Sequence, residues 1–277
     1  VILPIVIWSY LAFFVYWDAY KTTNVAQKAA YTVADLISRE QVTLPTTYIP
    51  RGQDVKADDA AQYGVALRWL VPELNDSELG FYYLRYNMQV PMIGLTVGQP
   101  VVLPLFGPQP DASSSRYYAE YLEKRDLFGV SFNTSIGGDS IFNGLSLAGE
   151  LSYRPNMPLQ LNTTDLTLAL INPIAGNTAS PIHSSFGADN AGYRRKEITQ
   201  IQSTMTQFFD QVLGAERLTL VGEAAFVHVG GLEAKSKLRY GRDSVYGAYG
   251  YGGDTDGFVT ANSWGYRARA ILDYNNA

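Results

Sequence analysis

The sequence predicts an all-β antiparallel fold, a partial transmembrane β-barrel incomplete at the C-terminus, preceded by one long apolar and then amphipathic N-terminal α-helix. Three observations carry that expectation. Several segments of roughly ten residues alternate apolar and polar side chains with period two, the signature of a strand. Their apolar faces are bracketed by aromatic residues while charges keep to the opposite face, as a membrane-crossing strand requires. And Val1 to Trp17 contains no charged residue.

The clearest strand runs from Gly265 to Asn275. Tyr266, Ala268, Ala270, Leu272 and Tyr274 share one face; Arg267, Arg269, Asp273 and Asn275 share the other, with Ile271 the exception. Two tyrosines bracketing a strip about 25 Å long suit a strand whose ends sit at two water interfaces. Leu145 to Tyr153 repeats the pattern, with Leu145, Leu147, Gly149, Leu151 and Tyr153 opposite Ser146, Ala148, Glu150 and Ser152. Leu218, Leu220, Gly222, Ala224 and Phe226 oppose Arg217, Thr219 and Glu223, diluted by Val221 and Ala225. Tyr63, Val65, Leu67 and Trp69 oppose Gln62, Gly64, Ala66 and Arg68. Lipid tolerates charge only on the inward side, so the set favours a barrel wall over a soluble sandwich.

Composition sets bounds. In 277 residues there are 20 Tyr, 25 Gly and no Cys, with a net charge of −5. That charge leaves no electrostatic footprint for nucleic acid. Mean hydropathy of −0.07 suits a soluble protein and equally a barrel, half of whose strand residues are polar. The lack of cysteine excludes disulfides and thiol chemistry, and His183 and His228 alone supply too few ligands for zinc. No cofactor is implied.

In chain order, Val1 to Trp17 reads as a membrane helix that is just sufficient or cut short, with a signal peptide or a buried core helix as the competing readings. Val25, Ala29 and Val33, then Ala26, Ala30 and Ile37, continue helical spacing as far as Arg39-Glu40. Pro45 and Pro50 stop it. The expected organisation is therefore a helix over 1–42, a linker over 43–56 and an antiparallel barrel segment over 57–277, with long loops near 99–126, 159–195 and 244–264. Pro72 to Asp76 forms a turn after the strand at Tyr63. In Glu78 to Met88, Leu79, Phe81 and Tyr83 compete with Tyr82, Leu84 and Tyr86, and Arg85 with Asn87 suggests that the odd-numbered face is inward. Gln99 to Tyr117, rich in proline, reads as an irregular loop. Phe128, Val130 and Phe132 alternate in a further strand, turned by Gly137-Gly138-Asp139, and Arg154 to Pro158 ends the strand at Leu145. Asn162 to Gly192 reads as an outside loop. Glu197 to Leu213 reads as a strand ending near Gln207 with a helical turn over Phe208 to Gly214. Tyr246 to Gly253 is a tyrosine-glycine tract that reads as another loop.

Two resemblances accompany these residues. Leu3-Pro4, Trp17-Asp18 and Lys28-Ala29-Ala30-Tyr31-Thr32-Val33-Ala34-Asp35-Leu36-Ile37-Ser38-Arg39-Glu40 resemble the start of TadE/TadG-like pilus-assembly proteins. From about Pro50 onward, Tyr63 to Arg68, Val71 to Asn75, Gly80 to Leu84, Ser152 to Pro158, Phe209 to Ala215, Leu218 to Glu223 and Arg239 to Asp243 are together similar to the DUF1302 family of Gram-negative bacteria, larger proteins read as outer-membrane barrels. That resemblance implies an envelope location, the outer membrane first, and hydrophobic or lipid-like solutes; it carries over no catalytic residue. An apolar helix of this strength would hold a chain in the inner membrane whereas a barrel must leave it, so the sequence reads as a composite or fragment joined near Thr43 to Pro50.

Catalytic chemistry is not signalled. The glycines from Gly247 to Gly257 fit neither phosphate-loop pattern. Asp254-Thr255-Asp256-Gly257 lacks the later ligands of a calcium loop and reads as a turn. His183 with Ser184 and Ser185 would suit an interfacial hydrolase only if a base and nucleophile were oriented together; a solvated loop histidine is the simpler reading. The lumen-facing candidates are Arg68, Arg85, Glu150, Arg217, Glu223, Arg267, Arg269 and Asp273, either pairing to fill the bore or lining a path. The expected function is a passive, non-enzymatic conduit or envelope component, with the lipid bilayer and periplasmic or inner-membrane envelope proteins as partners and no nucleic acid. The rival is a membrane-anchored pilus-assembly subunit.

Overall fold

The computed structural model describes residues 49–58, 62–103, 107–137, 143–171, 180–242 and 257–274. Its strands are β1 (Tyr63–Val71), β2 (Ser77–Tyr86), β3 (Met92–Thr96), β4 (Pro100–Leu103), β5 (Gly107–Pro110), β6 (Arg116–Glu120), β7 (Arg125–Ile136), β8 (Leu145–Gln160), β9 (Asp189–Asn190), β10 (Tyr193–Asp210), β11 (Arg217–Val229) and β12 (Asn262–Asp273). One short helix, α1 (Thr163–Leu168), precedes a 3-10 turn over Ala169–Ile171. The expected helix over 1–42 lies outside the described residues, and among those described no helix is long and apolar enough to cross a membrane.

A seven-stranded antiparallel sheet in the order β1-β2-β7-β8-β10-β11-β12 dominates, every strand bonded to its neighbour in sequence within the sheet. The expected all-β antiparallel fold is thus present, but as an open sheet: among the described residues it does not close into a barrel, and β1 and β12 form its edges. Connections alternate in length. Residues 72–76, 137–144 and 211–216 turn at one end, while 87–124, 161–192 and 230–261 cross at the other.

The short turns are set by local chemistry. Pro72 opens a single 3-10 turn whose exit residues Asn75 and Asp76 take the left-handed conformation at φ 54° and 51°, which asparagine and aspartate tolerate. At the β10–β11 end, Gly214 adopts φ 76° and Gln211 N–H donates to the Glu216 carbonyl at 2.8 Å.

Several expectations differ from the structure. β10 runs on to Asp210 with no helical turn over Phe208 to Gly214, because Phe208, Phe209 and Asp210 pair with Thr219, Leu218 and Arg217. A strand with a ladder partner in register outweighs a weak helical period. β8 does not stop at Arg154 but passes Pro155 and Pro158 to Gln160. Its ladder with β7 ends at the Phe128–Tyr153 pair, so the prolines occupy an edge where no donor is required. There the Asn156 side chain takes over, accepting from Asp126 N–H at 3.1 Å and donating to the Lys124 carbonyl at 2.9 Å. A register shift between Lys196 and Ile198 absorbs the extra residue of β8. The proline-rich stretch after Gln99 forms the isolated β4–β5 ribbon, pairing Pro100 with Pro110 and Val102 with Pro108. Both strands of such a ribbon are edges, so proline fits.

The long connections fold together into a cap with its own sheet, β6-β3-β9. The chain's buried apolar clusters lie chiefly here: Leu161, Leu166, Ala169, Ile182 and Tyr240 form one, Ile49, Leu95, Val97 and Leu170 a second, and Met88, Met92 and Leu122 a third. The segment Asn162 to Gly192, expected as an outside loop, thus supplies much of a core.

Candidate functional site

Residues directly opposite in an antiparallel ladder share a face, so the registers show how the seven strands line up their side chains. One row reads Leu67, Phe81, Val130, Leu151, Ile201, Phe226 and Trp264, apolar across every strand. The row on one side of it reads Val65, Tyr83, Phe128, Tyr153, Thr199, His228 and Asn262, and the row on the other side Trp69, Leu79, Phe132, Gly149, Ser203, Ala224 and Tyr266. Aromatic contact reinforces the first strands, with the Tyr83 and Phe128 rings 5.0 Å apart and Tyr63 and Tyr83 6.0 Å apart.

The reverse face is built from the intervening residues. Arg68, Gly80, Ser131, Glu150, Gln202, Ala225 and Gly265 form one row; Ala66, Tyr82, Gly129, Ser152, Gln200, Val227 and Ser263 form the next. Leu70, Glu78, Asn133, Ala148, Thr204, Glu223 and Arg267 form a third. Ion pairs are confined to this face within the sheet's middle and turn end. Arg68 lies 3.8 Å from Glu78, Arg217 3.0 Å from Asp210, and Arg267 grips Glu223 through two nitrogens, one at 2.8 Å. Between these clusters the central strands offer hydroxyls and amides, with the Tyr82 and Ser131 hydroxyls 3.2 Å apart.

Of the sequence candidates, the registers bring Arg68, Glu150, Arg217, Glu223, Arg267, Arg269 and Asp273 onto this polar face, with Arg217 opposite Asp273 and Arg267 opposite Glu223. Arg85 is not among them. It pairs in register with Tyr63 and Asp126 on the face of Phe81 and Tyr83, beyond the last aromatic row, 3.9 Å from the Asp126 carboxylate that also accepts from the Tyr83 hydroxyl at 2.9 Å. Arg85 near the end of β2 and Asn87 just beyond it lie where the chain rises from the apolar band into the cap, so their polarity says nothing about the band itself. Leu79, Phe81 and Tyr83 share the apolar face, the reverse of the expected inward odd face.

The cap contributes side chains that the sequence reading did not single out. Arg239, 6% exposed, clasps Asp165, 1% exposed, through both terminal and inner nitrogens, the Nε bond measuring 2.7 Å. Asn162 caps α1 by accepting from Asp165 N–H at 3.0 Å and donates to the Gly241 carbonyl at 3.0 Å, so it ties the same two segments together. Beside them Lys196 Nζ bonds both carboxylate oxygens of Glu233 at 2.8 and 2.9 Å, and the Tyr240 hydroxyl donates to that carboxylate at 2.7 Å. Burial alone would raise Glu233, but these two donors outweigh it and hold the carboxyl below its ordinary value. Burial and the facing carboxylate push the Tyr240 phenol up, and burial with the Asp189 hydrogen bond at 3.0 Å does the same to Tyr118. The only sequence signal for Asp165 and Arg239 is a charged pair within segments otherwise rich in apolar residues, and nothing local links positions so far apart.

His183 is exposed, and the hydroxyl of Ser184 donates to Asn190 at 2.9 Å, so that serine is not oriented toward a base. His228 bonds Asn262 through Nδ1 at 2.7 Å at the cap end of the apolar face. Asp254 to Asp256 lie outside the described residues, and among those described no group of acidic or histidine side chains could hold a metal ion.

No curated protein and no solved structure matches the chain. A family model does, over residues 8–277, running through Thr43 to Pro50 where a junction was expected, so most of the apolar start falls within the same family extent as the strands. With its wall of strands covered end to end by that match, the chain belongs to the family described as protein of unknown function (DUF1302).

Proposed function

We propose that the seven-stranded wall is part of a β-barrel in the outer membrane of a Gram-negative cell envelope, and that the protein acts as a passive conduit or envelope component. An all-β antiparallel chain with alternating short and long connections is compatible with that location. The observation that carries the reading is the row Leu67, Phe81, Val130, Leu151, Ile201, Phe226 and Trp264, whose members are between 39% and 75% exposed. Water-soluble monomers rarely present so continuous an apolar surface, whereas acyl chains solvate it. Phe, Tyr and Trp at its borders suit the two interfaces. The opposite face, with its carboxylates and guanidiniums, belongs to water.

The role is passive rather than enzymatic, with the bilayer and neighbouring envelope proteins as partners. The hydrophobic or lipid-like solute class comes from the family resemblance. The test uses adjacent residues of β12 in a chain that contains no native cysteine. Spin labels on Ala268→Cys and Arg269→Cys are placed in bilayers and probed with oxygen and with a water-soluble nickel chelate. The label at 268 is expected to meet oxygen and the label at 269 the chelate. Equal chelate access at both sites ends the membrane-wall reading.

A further inference from the structure

Charge on the polar face of the wall is balanced and stands mostly away from its centre. Arg68 holds Glu78, Arg217 holds Asp210 and Arg267 holds Glu223 on the outer strands or at the turn end. Arg154 attracts Glu150 four residues back on β8, and Arg269 shares β12 with Asp273. Cations thus match carboxylates along the face, which favours neither sign of ion. Between them β7, β8 and β10 present Ser131, Asn133, Ser152, Gln200, Gln202 and Thr204. The side-chain amides of Gln200 and Gln202 hold no hydrogen bond to another described residue, and Arg154 Nε is buried with no partner among them.

One aromatic ring borders this strip. Tyr82 on β2 is in register with Gly129, and its ring leans along its own strand over Gly80. A Cβ at Gly80 would come within 2.7 Å of the ring's Cζ and closer still to the phenol oxygen, so only glycine lets the ring lie down on the sheet. Gly129 leaves it the same freedom on the other side, where a Cβ would sit 3.5 Å from Tyr82 Cβ and Cδ2. The Tyr82 and Ser131 hydroxyls, 3.2 Å apart, fix the pose. One side of the ring rests on backbone and the other is turned to the space in front of the sheet.

We propose that Tyr82 and the adjoining strip form a binding track for a saccharide. The C–H bonds of a sugar ring pack on the negative face of an aromatic ring. Its hydroxyls each donate and accept, and the strip supplies both kinds of partner: the Glu150 carboxylate accepts, the Arg154 guanidinium donates, and the amides and hydroxyls do both. An acyl chain would leave all of them unpaired. From β2 to β10 is three inter-strand steps, about 14 Å, which is room for more than one sugar ring. The assignment rests on the conduit reading, which gives this face to water, and it names for that face a solute other than the hydrophobic class implied by the family resemblance.

Full-length protein in planar bilayers tests it through block of the ion current by maltohexaose and cellohexaose, with polyethylene glycol of the same mass as a polymer that accepts hydrogen bonds but scarcely donates them. At least one sugar is expected to interrupt the wild-type current at concentrations where the glycol does not. Tyr82→Ala is expected to raise the half-blocking concentration about fivefold, and Tyr82→Phe, which keeps the ring and loses only the hydroxyl, to leave it within about twofold. Gln202→Leu is expected to weaken block as well. Conducting wild-type channels that neither sugar blocks better than the glycol overturn the saccharide track and leave the conduit intact, as do conducting Tyr82→Ala channels blocked like wild type. A wild-type protein that inserts but never conducts overturns the conduit reading, and this assignment falls with it.

Discussion

Leucine behaves in opposite ways in the two regions of this molecule. In the cap, Leu161, Leu166 and Leu170 are 1%, 2% and 1% exposed; on the wall, Leu67 and Leu151 are 62% and 44% exposed. The chain covers the first set with its own side chains and leaves the second to whatever surrounds it. The cap therefore carries its apolar driving force internally, as any water-soluble core does. The wall has no second layer to pack against among the described residues. On the proposed membrane reading its stability depends on an apolar solvent outside the chain, one part folding against water and the other against lipid.

The sharpest way to probe the cap is its buried ion pair. Arg239→Met leaves Asp165 charged and unpaired in an apolar setting and is expected to cost about 3–5 kcal/mol of local stability, while the double variant with Asp165→Leu recovers most of it. Hydrogen exchange over 161–171 reads the opening, and slow exchange in the single variant would show that the pair is not what holds the cap. The wall responds to a different insult. Ile201→Arg in vesicles is expected to cost about 2–4 kcal/mol, and Gln202→Arg, one residue on, less than about 1 kcal/mol. Urea unfolding of bilayer-inserted protein measures both; equal costs would erase the distinction between the faces.

Smaller effects refine the cap. Asn162→Ala removes the helix cap and the bond to Gly241, an expected loss of about 1–2 kcal/mol, seen by exchange in α1 with the wall unaffected. The smallest effect is one of pH. Because Glu233 is held below its ordinary value, its contribution is present above the unfolded carboxylate range and is lost as pH falls through the folded value. The cap's resistance to thermal unfolding should therefore weaken on acidification below about pH 4.5, the ordinary glutamate value, by an amount that Glu233→Gln removes. The Lys196–Glu233 pair is partly exposed and screened, which is why it comes last.

Four wall strands were legible in the sequence because a half-buried strand writes its two faces into alternate residues. Tyr63 to Trp69, Leu145 to Tyr153, Leu218 to Phe226 and Tyr266 to Tyr274 needed no partner to be read. The rise of β8 past Pro155 and the last turn of β10 were not legible, since each depends on which edge is paired. The cap was hidden for the same kind of reason: proline, glycine and polar residues in the long connections resemble loop, and only contact between distant segments turns Leu161, Leu170 and Tyr240 into a core.

By itself, then, the order of residues determined the wall's two-sidedness, because period two is a local property of an extended backbone. Tertiary structure alone decided that seven such faces join into one continuous surface, that Arg85 stands apart from the other charges, and that Asp165 meets Arg239. Register and long-range contact depend on pairs of segments, and no single segment contains that information.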